Sequence, residues 1–89
     1  MTLTAESVPT VRMDIRVRNF RGTLVLAVQR QVFELDESAA FIWRQIDGTR
    51  SSWQIAERLA QEYSITTEDV MDDVLEVLDE WASFGAITV

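Results

Sequence analysis

Residues 33–48 read F-E-L-D-E-S-A-A-F-I-W-R-Q-I-D-G, and this stretch decides the fold. Phe33 and Leu35 flank Glu34 at the two-residue period of a half-buried strand. Asp36 then changes the period. Its carboxylate suits a helix N-cap, where it accepts from backbone N–H groups that have no partner inside the first turn. Behind it Ala39, Ala40, Ile42, Trp43 and Ile46 recur at helical spacing and Gly48 supplies a stop, so a helix is predicted over 37–47. A short strand therefore runs straight into a capped helix.

Reading towards the C-terminus, residues 51–63 are S-S-W-Q-I-A-E-R-L-A-Q-E-Y. Ser51 or Ser52 caps a second helix, with Trp53, Ile55, Ala56, Leu59 and Tyr63 at helical spacing. Thr66 or Thr67 opens a third. Thr66 with Asp69 has capping-box spacing, Glu68 and Asp69 complement the helix dipole, and Gly85 ends the helix. Residues 86–89 are apolar and β-branched, which predicts a small strand or a wing-like tail.

Reading towards the N-terminus, residues 29–31 form a tight hairpin between the strand at 32–35 and a second strand over 23–28, where Leu24, Leu26 and Val28 share a face. Asn19 to Gly22 supply a turn. Before it Val11, Met13, Ile15 and Val17 alternate with Arg12, Asp14 and Arg16, predicting one strand over 11–17. Residues 1–10, small and polar with Pro9, are expected to be a flexible arm ahead of a domain spanning 11–89. The expected class is α+β: a three-stranded antiparallel sheet followed by three helices.

Composition narrows the function. At 89 residues with 47% hydrophobic content, the chain suits one compact domain. It contains neither cysteine nor histidine, which removes thiol nucleophiles, disulfides, zinc sites of the usual kind and the neutral-pH proton shuttle. The remaining carboxylates and hydroxyls show no convergent catalytic arrangement, so no catalytic residue, metal site or cofactor is assigned. No segment approaches a membrane span or a secretory signal, and a cytoplasmic protein is expected. The net charge is −7, with Arg12, Arg16, Arg18, Arg21 and Arg30 early in the chain and no basic residue after Arg58.

The third helix carries the acid. Val70, Met71, Val74, Leu75, Val77, Leu78, Trp81, Ala82 and Phe84 occupy about half its circumference, wider than the ~100° stripe of an ordinary surface helix. Val70 and Val77 fall at one shoulder beside Asp73, where an apolar groove with an acidic rim is expected. If residues 31–35 form a sheet edge, their free backbone groups offer a template for an added strand. The two features together make a peptide slot. Glu34, Asp73 and Glu76 would favour Lys or Arg on the incoming peptide.

These segments, from F-E-L-D-E-S-A-A-F-I-W and the Asp47-Gly48 pair through Ile55-Ala56, Tyr63, Asp73-Val74, Val77-Leu78, Trp81 and Gly85-Ala86-Ile87, resemble the PqqD-like peptide recognition domain, with Asp36 in place of the more common Asn. The resemblance covers about two thirds of the chain. It implies a winged helix-turn-helix-like fold that binds leader segments of ribosomally made precursor peptides and presents them to processing enzymes. It further implies contacts at Gln31, Val32, Phe33 and Glu34 along the third strand, with Val70, Asp73 and Val77 on the third helix. Stand-alone relatives serve either a radical SAM enzyme in pyrroloquinoline quinone assembly or a leader peptidase and cyclase in lasso-peptide pathways. Small size and acidic character tilt the expectation towards a lasso-type recognition protein with a basic leader.

Two rival classes remain. A winged helix can bind DNA, but the second helix offers only Arg58 against Glu57 and Glu62, and the third has no cation to meet phosphates. Alternatively, the apolar shoulder could serve self-association. A monomer is expected.

Overall fold

The computed structural model describes residues 3–89. Three antiparallel strands, β2 (Arg16–Phe20), β3 (Thr23–Val28) and β4 (Gln31–Leu35), form a sheet in that order and lead into α1 (Glu37–Gln45), α2 (Ser52–Tyr63) and α3 (Thr67–Ser83). A separate two-stranded ribbon pairs β1 (Thr10–Val11) with β5 (Ile87–Thr88). The expected class holds: a three-stranded antiparallel sheet followed by three helices.

Tight turns fix the sheet register. Gln29 and Arg30 both have positive φ, as do Arg21 and Gly22, so each hairpin closes through a two-residue loop whose twist matches the strands. Asn19 steadies the first by accepting the Gly22 N–H at 3.0 Å. Leu26, Val28 and Leu35 point into the core, where Ile55, Val74 and Leu78 are buried from the helices. Trp43 of α1 meets Trp81 of α3 edge to face, with ring centroids 5.3 Å apart.

The helix starts follow the sequence. Asp36 accepts the Ala39 N–H at 2.8 Å, and Thr66 accepts that of Asp69. Ser51, rather than Ser52, caps α2, in a reciprocal box with Gln54. The end of α3 is a Schellman motif: Ala86 N–H donates to the Trp81 carbonyl, Gly85 N–H to that of Ala82, and Gly85 takes φ +81°. Asp47 does not extend α1. Its carboxylate instead accepts from the Thr49 and Arg50 backbone N–H groups and the Thr49 hydroxyl, all at 2.9 Å, and bends the chain into a loop. Those hydrogen bonds hold its pKa down at about 2.

Two expectations change. The alternating segment 11–17 is not one strand: Val11 pairs with Ile87, the chain turns at 12–15 with Met13 fully exposed, and a new strand starts at Arg16. The segment expected as an arm is packed against the helices over its described residues. Leu3 is only 6% exposed, Pro9 is fully buried, and the carbonyls of Ser7 and Ala5 accept the backbone N–H groups of Ser52 and Trp53. Those are two of the orphan donors at the start of α2, so the N-terminal segment completes that helix's cap. Ser52, the alternative cap, has a different role: its buried hydroxyl donates to the Ser7 carbonyl at 3.1 Å.

Candidate functional site

Strand β4 is an edge. It pairs with β3 on one side, and its other side carries no strand among the described residues. The two-residue loop makes Val28 and Gln31 a hydrogen-bonded pair, and alternation along the antiparallel ladder does the same for Leu26–Phe33 and Leu24–Leu35. Val32 and Glu34 occupy the intervening non-hydrogen-bonded positions. Their N–H and C=O groups consequently point outward, at the spacing an added strand requires.

Side chains alternate in the opposite sense. Phe33 and Leu35 turn towards the helices, whereas Val32 and Glu34 lie on the outer sheet face with their side chains exposed. Phe33 reaches α3 directly: its ring lies 4.7 Å, centroid to centroid, from Phe84 at the helix C-cap. This contact identifies the side of α3 that faces β4. Asp73, Val77, Glu80 and Phe84 succeed one another at intervals of four, three and four residues, which is one stripe of a helix. Val77 and Phe84 thus alternate with the carboxylates of Asp73 and Glu80 along this stripe, whose Phe84 end meets the edge strand.

The predicted residues separate on this geometry. Gln31, Val32, Phe33 and Glu34 form the edge strand, and Asp73 and Val77 fall on the stripe, Val77 half-buried and Asp73 exposed. Val70 is a correction. It is only 5% exposed and belongs to the core, because it lies about 20° nearer than Val77 to the buried Trp81 and Val74 on the wheel. Glu76 is exposed but projects about 80° away from the Phe84 direction, off the stripe. Glu80 and Phe84 were not among the expected site residues. The spacing from Asp73 and Val77 was visible, but only the Phe33 contact shows which shoulder turns to the sheet.

The electrostatics are one-sided. Among the described residues the ion pairs are Arg12–Asp14 and Arg50–Asp47, so Glu34, Asp73 and Glu80 have no internal cation. All three carboxylates are exposed. The arrangement can hold an extended peptide by backbone hydrogen bonds, seat its apolar side chains on Val77 and Phe84, and attract cations at the rim.

Residues 22–87 match the family model for Coenzyme PQQ synthesis protein D (PqqD). The chain belongs to the PqqD family. Its curated relatives include the PqqA binding protein of Xanthomonas oryzae pv. oryzae, 37% identical over 78 residues and 85% of each chain. The PqqA binding protein of Xanthomonas euvesicatoria pv. vesicatoria is 35% identical over 79 residues, 86% of each. Among solved structures, the PqqD truncation of Methylobacterium extorquens PqqCD, described as a functional and stand-alone RiPP recognition element, superposes with a TM-score of 0.84 at 26% identity, covering 99% of this chain and 96% of that one. Lasso peptide synthetase B1, solved with its leader peptide, gives 0.78 over 93% of this chain and 100% of the other, but at 20% identity it attests to the fold alone. No helix among the described residues is long and apolar enough to cross a membrane.

Proposed function

We propose that this PqqD-family protein binds the leader segment of a ribosomally synthesised precursor peptide as an added strand on β4 and presents it to maturation enzymes. One observation carries the reading: β4 leaves the backbone groups of Val32 and Glu34 free on its outer edge, and the Phe33–Phe84 contact joins that strand to the α3 stripe that carries Asp73, Val77 and Glu80. An edge strand alone binds any extended chain; the flanking α3 stripe supplies the selection. The carboxylates at the rim favour a leader with Lys or Arg near its apolar anchors and act mostly on association rate and selectivity.

Two kinds of precursor compete for this assignment. The curated relatives, which are named PqqA binding proteins, support a PqqA-type precursor, for which the family resemblance implies a radical SAM partner. The lasso-type leader, with its peptidase and cyclase, rests on shared fold and on the acidic rim. The test is a fluorescence titration with the leader of the precursor encoded beside this protein, run against PqqA-type and lasso-type leaders and a scrambled control. Saturable binding of the native leader, weakened by salt, is the expected result. Equal binding of the scrambled sequence, or no binding up to high micromolar concentration, would refute the reading.

A further inference from the structure

The sheet has a second face, turned away from the helices, which meets the peptide slot only at the β4 edge. Register places Arg16 opposite Ala27 and Arg18 opposite Val25, with Val32 and Glu34 continuing the same rows on β4. Phe20 shares their face by alternation. This outer face lies away from the core and is not bare of apolar surface: Phe20 is 64% exposed and Val32 67%, with Val25 half-buried between them in a shallow depression. Arg21 lies over the Phe20 ring, 5.4 Å from its centroid. Among the described residues none of Arg16, Arg18 and Arg21 is ion-paired.

We infer that this outer face is a docking surface for a folded protein partner that presents an apolar seat ringed by carboxylates, namely the maturation enzyme to which the peptide is handed. Exposed arginines around an aromatic centre are the composition of a protein interface core. The charge preference follows from three exposed guanidiniums that have no ion pair among the described residues and are complemented by acids on a partner. Nucleic acid fits poorly: the depression is apolar and includes Glu34, and the whole chain carries −7. The surface also adjoins the peptide slot. A leader added beyond β4 becomes the fourth strand of the sheet, so alternate leader side chains join Val32 and Glu34 on the outer face. The partner would then touch protein and leader together and bind the complex more tightly than the protein alone. The identity of the partner rests on the peptide-presenting reading; the existence of the docking face does not.

The test is the charge reversal Arg16→Glu with Arg18→Glu, both exposed and outside the peptide slot, with far-UV circular dichroism to confirm folding. The neutral pair Arg16→Gln with Arg18→Gln serves as the second variant. Wild type and variants are titrated with two probes: the synthetic leader, and the purified maturation enzyme encoded with the precursor, the latter with and without leader. The expected result is a loss of at least tenfold in enzyme affinity for the reversal, less for the neutral pair, and an unchanged leader titration. Enzyme binding that is absent in wild type or unaffected by reversal would overturn the inference. So would arginine-dependent self-association in sedimentation velocity, or arginine-dependent binding of a labelled single-stranded DNA, with no change at the enzyme. A leader that fails to bind wild type refutes the peptide reading alone, because the enzyme titration without leader reads the face by itself.

Discussion

Replacing Val32 with proline separates strand addition from every mode that uses only side chains. Proline lacks an N–H, and at position 32 that donor points away from β3, so the sheet keeps its ladder while the edge loses one outward bond. Val32 and Glu34 together offer about four outward groups, and each hydrogen bond to a peptide contributes roughly 0.5–1.5 kcal/mol net. One lost donor should therefore weaken leader binding between about two- and thirteen-fold at 25 °C, with the upper end favoured by the ring's bulk at the strand edge. Phe33→Pro is the internal contrast. Its N–H serves the ladder to Leu26, so this change should cost ~1–3 kcal/mol of fold stability by orphaning a buried acceptor. Calorimetric titration of folded Val32→Pro with the leader, alongside Val32→Thr, is the assay. Wild-type affinity in Val32→Pro, or an equal loss in Val32→Thr, would refute pairing through this edge.

Three further outcomes follow from the structure. Val77→Asp places a charge in the apolar seat; a partly desolvated charge costs ~1–3 kcal/mol, so leader affinity should fall about 5- to 150-fold while circular dichroism stays native. Leu3→Ala should destabilise the domain by ~2–5 kcal/mol in urea titration because Leu3 is core, and a change within ~0.5 kcal/mol would show the N-terminal segment to be undocked. Asp47→Ala should lower stability at neutral pH. Because folding depresses this carboxyl from 3.8 to about 2, its contribution is complete above pH 4 and is lost as pH falls through 2. Wild type and variant should accordingly converge in thermal melts near pH 2, and a gap that stays constant from pH 7 to 2 would assign the effect to something other than that ionisation.

What could be read from sequence was whatever is decided within a few residues. Asp36, Ser51 and Thr66 announce their helices because a cap is a contact between neighbours three positions apart. The hairpin at Gln29–Arg30 was recognisable from its length between two apolar runs, although neither residue is glycine. By contrast, the break after Val11 was invisible, since alternation continues through Met13 and Ile15 and the true partner of β1 is the distant Ile87. The docking of Leu3 escaped for a related reason: it depends on carbonyls of Ala5 and Ser7 meeting the start of α2 some 45 positions on. At the site, the edge and the acidic shoulder were legible as periodicities, but a wheel has no marker for which shoulder faces the sheet. The Phe33–Phe84 contact supplies that marker, brings in Glu80 and Phe84, and leaves Val70 in the core.

The β1–β5 ribbon gives the fold a timetable. Strands β2, β3 and β4 meet their partners across two-residue loops, whereas Thr10 and Thr88 close a loop of about 80 residues, at a chain-entropy cost growing as (3/2)RT ln n. Thr10–Val11 has no strand partner until Ile87–Thr88 has been synthesised, but β4 pairs with a strand only two residues before it. The exposed β4 edge thus rests on local pairing, whereas the clasp between Thr10–Val11 and Ile87–Thr88 needs the longest loop closure in the fold.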